Sequence, residues 1–421
     1  MSRILLKKKI MIGVLIICIN LLLLSLSAAS TNDTASFGKE KVGLLRSLEK
    51  NFDMRGVSTE EIKENFVDCS LYRLMKLAHM SALAAAIVKE DEVVWTKGFG
   101  VYDRENNKKT TEETIFLAAS ISKTITATAV MQLYEKKLLN LDDDVNKYLP
   151  FSLRNPNYPE VPITFRMLLS HHASLATEPN YPRPTFIRMI PGDGELEHYP
   201  DPFLKEYLVP GGMHYTLRVW EDFPPGKEMR YANIGYAVLG YLVELISDQT
   251  FETYCREHIF DPLGMHNSSF RVANLNQSRL AVPYDYHAGT YYPFMHYDTV
   301  DYPASGLRSS VVDLSRFLIA YMNEGMYNTS RILKEETISL MLFPHYDSGK
   351  HYGLGWQLKS EGSEQYVGHS GGMHGVATMM AFKPSDNVGV IYFINERVLN
   401  YREQFAFSLI KQLLFWKADA L

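Results

Sequence analysis

The chain has 421 residues, 46% hydrophobic and 22% charged, enough to bury a large core and too long for one small domain. Its formal net charge is −5 and no basic stripe with interleaved aromatics stands out, which argues against a nucleic-acid partner. Three cysteines are too few for a disulfide framework.

Residues 1–30 read as a targeting segment. Lys7-Lys8-Lys9 supplies the positive start, Ile10 to Leu26 the apolar stretch, and Ser27-Ala28-Ala29-Ser30 the small residues of a cleavage site. The stretch is long for a signal peptide and short for a spanning helix. The expectation is an exported protein, either released to the periplasm or medium or held at the membrane by residues 10–26. Loss of the segment with Arg3 and its three lysines would take the net charge to about −9. Residues 31–40 are a polar, flexible leader.

Ser58-Thr59-Glu60-Glu61 is a capping-box pattern that predicts a helix start, and Leu71 to Met80 predicts a second helical stretch. Ala82 to Lys89 and Val93 to Tyr102 predict a hairpin around Glu90-Asp91-Glu92. An extended approach, Thr114 to Ala119, leads into a helix over Thr124 to Lys136. Thr164 to Ser170, Tyr236 to Ser247 and Phe251 to Ile259 are further helical stretches. Residues 178–215, rich in Pro, Gly and aromatics, have the length of a binding loop or lid. The Tyr-rich segment 282–302 either walls a cleft or forms an ordered surface loop. Ser310 to Glu324 predicts a helix with Val311, Leu314, Phe317, Leu318 and Tyr321 on one face. Strands follow at Tyr352 to Lys359, Glu364 to Gly368, Val376 to Phe382 and Val388 to Ile394, and a helix over Tyr401 to Trp416 closes the chain.

Strands at both ends with helices between them predict a mixed α+β fold: an antiparallel sheet flanked by helices, plus an inserted helical lobe. The mixed lobe would take residues 41–123 and 303–421, and the helical lobe 124–302, within one domain over 41–421. Cys69 and Cys255 either pair or remain buried thiols. Asn32, Asn267, Asn276 and Asn328 stand in N-x-S/T sequons, which matter only in a glycosylating source.

Ser120-Ile121-Ser122-Lys123 sits where the extended approach turns into helix. A serine in a first helical turn lies among unpaired backbone N–H groups, and a lysine at i+3 shares its face. Together they activate an alcohol as a nucleophile. Alone, the pattern also fits a capped, solvated helix start. Two further constellations give it weight. Tyr231-Ala232-Asn233 follows the Pro225-Gly226 turn and opens a helix, which aims a phenol into a cleft; a nearby lysine would favour its phenolate as a base. His369-Ser370-Gly371-Gly372 follows a predicted strand, where glycines admit a substrate backbone and an N–H serves an oxyanion. Each has a bland alternative, a buried tyrosine in one case and a glycine-rich turn in the other.

In this order the three resemble the serine β-lactamase and penicillin-binding-protein superfamily, in its class C-like branch of esterases and D-amino-acid peptidases. Ile163-Thr164 with Leu168-Leu169-Ser170-His171 is similar to that branch's I-T-x-x-x-L-L-x-H segment, and Tyr231-Ala232-Asn233-Ile234-Gly235-Tyr236 to its Y-S-N-x-G-Y. Pro303-Ala304-Ser305-Gly306-Leu307 and Tyr352-Gly353-Leu354-Gly355-Trp356 also match. The resemblance implies Ser120 as acyl-accepting nucleophile, Lys123 as its activator and Tyr231 as general base and then acid. It implies that Asn233 binds the substrate amide or stabilises Lys123. The N–H groups of Ser120 and Gly372 would form the oxyanion hole, with His369, Ser370 and Gly371 as the third motif. The implied substrate is a small molecule or peptide bearing an ester or amide, with no cofactor and no metal. True β-lactamase, penicillin-binding carboxypeptidase and a non-catalytic binding relative are the competing readings.

The third motif departs from the superfamily, which usually places lysine first. A histidine is mostly neutral at pH 7, so it holds a substrate carboxylate weakly or instead donates to the substrate or tunes Tyr231. Gly368-His369-Ser370-Gly371-Gly372 also spells the G-x-S-x-G elbow of α/β-hydrolases. That elbow turns from strand into helix and needs an acid and then a histidine downstream. Strand patterns follow here and His374 is the only later histidine, so Ser370 is rejected as nucleophile. His171-His172, His198 and His214 lack metal-site spacing, and His171 and His172 are expected to shape the helical lobe.

Overall fold

The computed structural model describes residues 59–176, 187–189, 203–398, 400–419 and 421. The expected targeting segment, the leader and Ser58 of the capping box lie outside them. One compact unit runs from Glu64 to Leu421. Its centre is a seven-stranded antiparallel sheet. The strands are β1 (Ala82–Lys89), β2 (Glu92–Asp103), β3 (Lys108–Lys109), β4 (Gln357–Glu361), β5 (Glu364–Met373), β6 (Val376–Lys383) and β7 (Val388–Ile394). Their order is β4-β5-β6-β7-β1-β2-β3, so the sheet is assembled from segments far apart in the chain. The seam pairs Ala84 with Phe393 and Ala86 with Ile391.

Alternation along β1 explains how two layers of helix cover this sheet. Ala82, Ala84, Ala86 and Val88 join the main core on one face, against helix α4 (Val311–Met322). Leu83, Ala85 and Ile87 point the other way and are equally buried, beneath the closing helix α5 (Tyr401–Ala418). The alanines let both helices approach closely, and each fully buried Leu, Ile or Phe contributes about 1.5–3 kcal/mol. Helix α4 is capped by Ser310, whose Oγ accepts the Asp313 N–H at 3.2 Å.

The helical region is built on α2 (Ser122–Glu135) and α3 (Asn233–Ser247), which pack on each other. Every residue of α2 from Ser122 to Leu133 is buried, which rules out a solvated helix start. Its threonines are satisfied internally: Thr124 donates to the Ile121 carbonyl (2.8 Å) and Thr126 to the Pro303 carbonyl (2.6 Å). In α3, a Cβ on Gly240 would lie 2.4 Å from Pro303 Cγ, so glycine there admits the 302–305 turn against the helix.

Several boundaries differ from the sequence expectation. The two helices expected before residue 80 are one, α1 (Thr59–Leu77), because no Gly or Pro interrupts it. The strand expected from Tyr352 begins at Gln357: Gly355 takes φ +87 and Tyr352–Trp356 closes as a turn, with the Gly353 N–H on the Trp356 carbonyl. Within the long 178–215 segment, Ile187–Met189 pairs with Tyr297–Thr299, and Phe203–Leu208 forms a helix with Phe203 and Tyr207 one turn apart. The Tyr-rich segment forms a ribbon, Tyr284–His287 with Thr290–Pro293, turned at Ala288 and Gly289, both at positive φ. Cys69 and Cys255 are both free thiols, and Cys255 is fully buried. No helix among the described residues is long and apolar enough to cross a membrane.

Candidate active site

Ser120 lies in a single 3-10 turn, Ala119–Ile121, immediately before α2, rather than inside the helix's first turn. The turn is pinned from three sides. The Ala118 N–H donates to the Leu307 carbonyl (2.7 Å), and the Ala118 carbonyl accepts Thr378 Oγ1 of β6 (2.8 Å). Ser122 Oγ donates to the Ala119 carbonyl (2.6 Å) and accepts the Leu307 N–H (2.9 Å). Ala119 is held at φ +49, a left-handed conformation unfavourable for alanine that these bonds sustain next to the candidate nucleophile.

Lys123 is fully buried, and its Nζ donates to Ser120 Oγ at 3.1 Å and to the Ala304 carbonyl at 2.8 Å. That carbonyl is delivered by the 302–305 turn lodged against Gly240. The same Nζ lies 4.9 Å from the Tyr231 ring centre and 5.7 Å from that of Tyr236. Three of the sequence motifs therefore converge on one ammonium. Asp301, also buried, stands one turn before Ala304 and accepts Ser305 Oγ at 3.4 Å. Burial pushes its carboxyl upward while the Lys123 charge opposes that. Asn233 opens α3 two residues after Tyr231, and its Oδ1 is buried without a hydrogen-bond partner among the described residues.

Strand β5 lies along the nucleophile turn. A Cβ on Gly371 would fall 2.4 Å from Thr378 Oγ1, 2.6 Å from the Ala118 oxygen and 2.9 Å from the Ser120 nitrogen. A Cβ on Gly372 would meet nothing within 4 Å. One glycine is thus required for contact between strand and turn, and the next borders open space. Ser370 Oγ points instead to Gln357 Oε1 (3.4 Å), within a strand rather than at a strand-to-helix elbow.

His369 departs from one sequence expectation. Its Nδ1 faces the Ser370 carbonyl at 2.7 Å, and a carbonyl only accepts, so Nδ1 carries the proton. Nε2 is then the acceptor for the Tyr352 hydroxyl at 2.9 Å. Burial, with the Lys123 charge adding to it, holds the imidazole down to about 3. The ring is neutral with both nitrogens committed, so it has no N–H to give to a substrate. The partner, Tyr352, was visible only as a motif residue, and its position on a turn before β4 carried no sign of this role. The histidine pair also needs separating. His172 bonds to Ser348 and stacks on Tyr346 at 4.0 Å, a structural role as expected. His171 instead packs 4.3 Å from the Tyr231 ring. Among the described residues there is no group of three side chains suited to a metal ion.

A model of the β-lactamase family matches residues 72–414. The chain belongs to the β-lactamase family. Among curated relatives, protein flp of Staphylococcus aureus strain MW2 is 24% identical over 341 residues, 78% of this chain and 62% of that one. The chain thus spans about three fifths of the length of that relative. The putative penicillin-binding protein PbpX of Bacillus subtilis is 29% identical over 312 residues, 74% of this chain and 70% of that protein. In structure, the octameric penicillin-binding protein homologue from Pyrococcus abyssi superposes with TM-score 0.68 at 27% identity, covering 82% of this chain and 77% of that chain. In this structure the candidate site lies where the Ala119–Ile121 turn ahead of α2 meets strand β5.

Proposed function

We propose that this β-lactamase-family chain is an exported serine hydrolase that cleaves an ester or amide through an acyl-enzyme on Ser120. The observation that carries the reading is the fully buried Lys123 with Nζ 3.1 Å from Ser120 Oγ. A lysine buried this deeply costs stability, and that cost is offset by function where the amine serves a nucleophile. Ser120 Oγ bonds to the acyl carbon as its proton passes to the Lys123–Tyr231 pair. The oxyanion rests on the N–H groups of Ser120 and Gly372. Collapse breaks the bond to the leaving group, which takes its proton from Tyr231. Water then attacks the acyl carbon, releases the acid and restores Ser120. Asn233 Oδ1 accepts an N–H of an amide substrate.

The committed state of His369 supports peptidase or esterase action over carboxylate-directed chemistry, since the residue at the third-motif position is neutral and offers no charge to a carboxylate. The second reading, a penicillin-binding carboxypeptidase or β-lactamase, is supported by the names of the relatives. A third is a binding relative without turnover. Intact-protein mass after a fluorophosphonate probe, on wild type and Ser120→Ala, tests the proposal. One adduct on Ser120, absent from the variant, is expected. An unlabelled, folded wild type that also fails to turn over p-nitrophenyl esters overturns it. Efficient hydrolysis of a chromogenic cephalosporin would move the assignment to the second reading. Export rests on residues 1–30, and amino-terminal sequencing of the protein recovered outside the cytoplasm tests it.

A further inference from the structure

We infer that His171 is a positioning residue for Tyr231, holding the phenol in place beside Lys123 by a backbone hydrogen bond and by ring contact. The inference rests on the serine-hydrolase reading above and adds to it a residue that acts through Tyr231.

Two observations carry it. First, His171 Nδ1 accepts the N–H of Ala232 at 3.2 Å, and the His171 carbonyl accepts the N–H of Arg230 at 2.8 Å. Both residues flanking Tyr231 are therefore tied to this one histidine, and the ties set the direction in which the tyrosine leaves the backbone. Second, the imidazole is 3% exposed and forms a wall among three phenols, with ring centres 4.3 Å from Tyr231, 4.8 Å from Tyr352 and 5.1 Å from Tyr236. The ring is the common neighbour of the base, of the tyrosine that holds His369, and of the α3 tyrosine that donates to the Leu169 carbonyl.

The chemistry of the residue fits the task. Its backbone sits at φ +63, a left-handed position that histidine and asparagine tolerate better than most residues. With Nδ1 accepting, the ring proton lies on Nε2, which is buried and has no hydrogen-bond partner among the described residues. Burial and the neighbouring Lys123, His369 and His172 hold the ring neutral. It therefore fixes Tyr231 without setting a second charge beside Lys123. An apolar ring would lack the acceptor for Ala232, and a longer polar chain would lack the wall.

The test uses the full chain and three variants: His171→Ala, which removes both contacts, His171→Asn, which keeps an acceptor near Nδ1 and suits the backbone, and His171→Phe, which keeps the wall. Initial rates on a p-nitrophenyl ester and the rate of Ser120 phosphonylation are followed from pH 5 to 10, with thermal melts as a check on folding. His171→Ala should lower kcat by about 100-fold, the usual result of moving a reacting group by an ångström, with KM changed less than about threefold. The pH–rate limb assigned to the base should shift, because water reaches the phenol. His171→Asn should recover about tenfold of the loss. If folded His171→Ala keeps wild-type kcat, labelling rate and pH profile, the inference is overturned. Should the alanine variant not fold, the Asn and Phe variants decide: wild-type behaviour in both overturns it, and a kcat loss with a moved pH limb in either supports it. A wild type that neither labels nor turns over overturns the hydrolase reading first, and that result is distinguishable because it appears before any variant is made.

Discussion

The Tyr352 hydroxyl donates to Nε2 of His369 across 2.9 Å, and that bond closes the last free position on the imidazole. With Nδ1–H already on the Ser370 carbonyl, the residue at the lysine position of the third motif is a neutral structural tie between β5 and the turn before β4. Tyr352→Phe should leave a buried acceptor unpaired and cost about 1–3 kcal/mol of stability, read as a lower denaturant midpoint at unchanged m-value. An unchanged midpoint would show that the bond is replaced by water.

Ser120→Ala should abolish probe labelling and lower ester hydrolysis by at least about 10³-fold. Lys123→Met should do the same to turnover while leaving the protein folded, since methionine keeps the apolar stem of this fully buried lysine and fills its space. Turnover in a folded Lys123→Met protein above about a tenth of wild type would remove Lys123 from the mechanism.

The two glycines of β5 should respond oppositely. Gly371→Ala forces a methyl to within 2.4–2.9 Å of Thr378, Ala118 and Ser120, two of them through backbone atoms, so strand and nucleophile turn must separate. The expected result is a loss of about 100-fold or more in the labelling rate of Ser120. Gly372→Ala places its methyl in open space and should melt within a degree or two of wild type. Equal labelling rates for Gly371→Ala and wild type would mean that β5 does not complete the oxyanion site.

Glu396 sets a pH dependence of stability. It is buried, neither carboxylate oxygen has a hydrogen-bond partner among the described residues, and burial with nearby Glu403 and Asp285 raises it to about 9. Because its folded value lies above the unfolded one, the folded protein binds the extra proton. The stabilisation is complete below about pH 4.5 and is lost as pH rises toward 9, at about 1.4 kcal/mol per pH unit at most. Glu396→Gln removes this titration. The variant should gain stability relative to wild type as pH rises from 5 to 9, measured by denaturant melts at each pH. A constant difference across that range would show that Glu396 is ionised in the fold.

What the sequence by itself determined is local. The turn-bounded apolar runs named six of the seven strands of the sheet, the short Lys108–Lys109 strand excepted, and the breaker-free stretches named the long helices that cover it. The i,i+3 spacing of Ser120 and Lys123 puts amine and hydroxyl on one face of a helical turn, and the 3-10 turn that carries Ser120 into α2 keeps them on that face. The family motifs added Tyr231, Asn233 and His369 as residues, without geometry. Only the tertiary structure decided that Lys123 is wholly buried and that its second acceptor is Ala304, delivered by a turn that needs Gly240 at its back. It alone decided that His369 is held neutral by Tyr352, and that His171 belongs beside Tyr231 while its neighbour His172 does not. The reason is physical: these hydrogen-bond partners stand between 17 and 181 positions apart, and no periodicity or propensity records which distant carbonyl or phenol will face a given side chain.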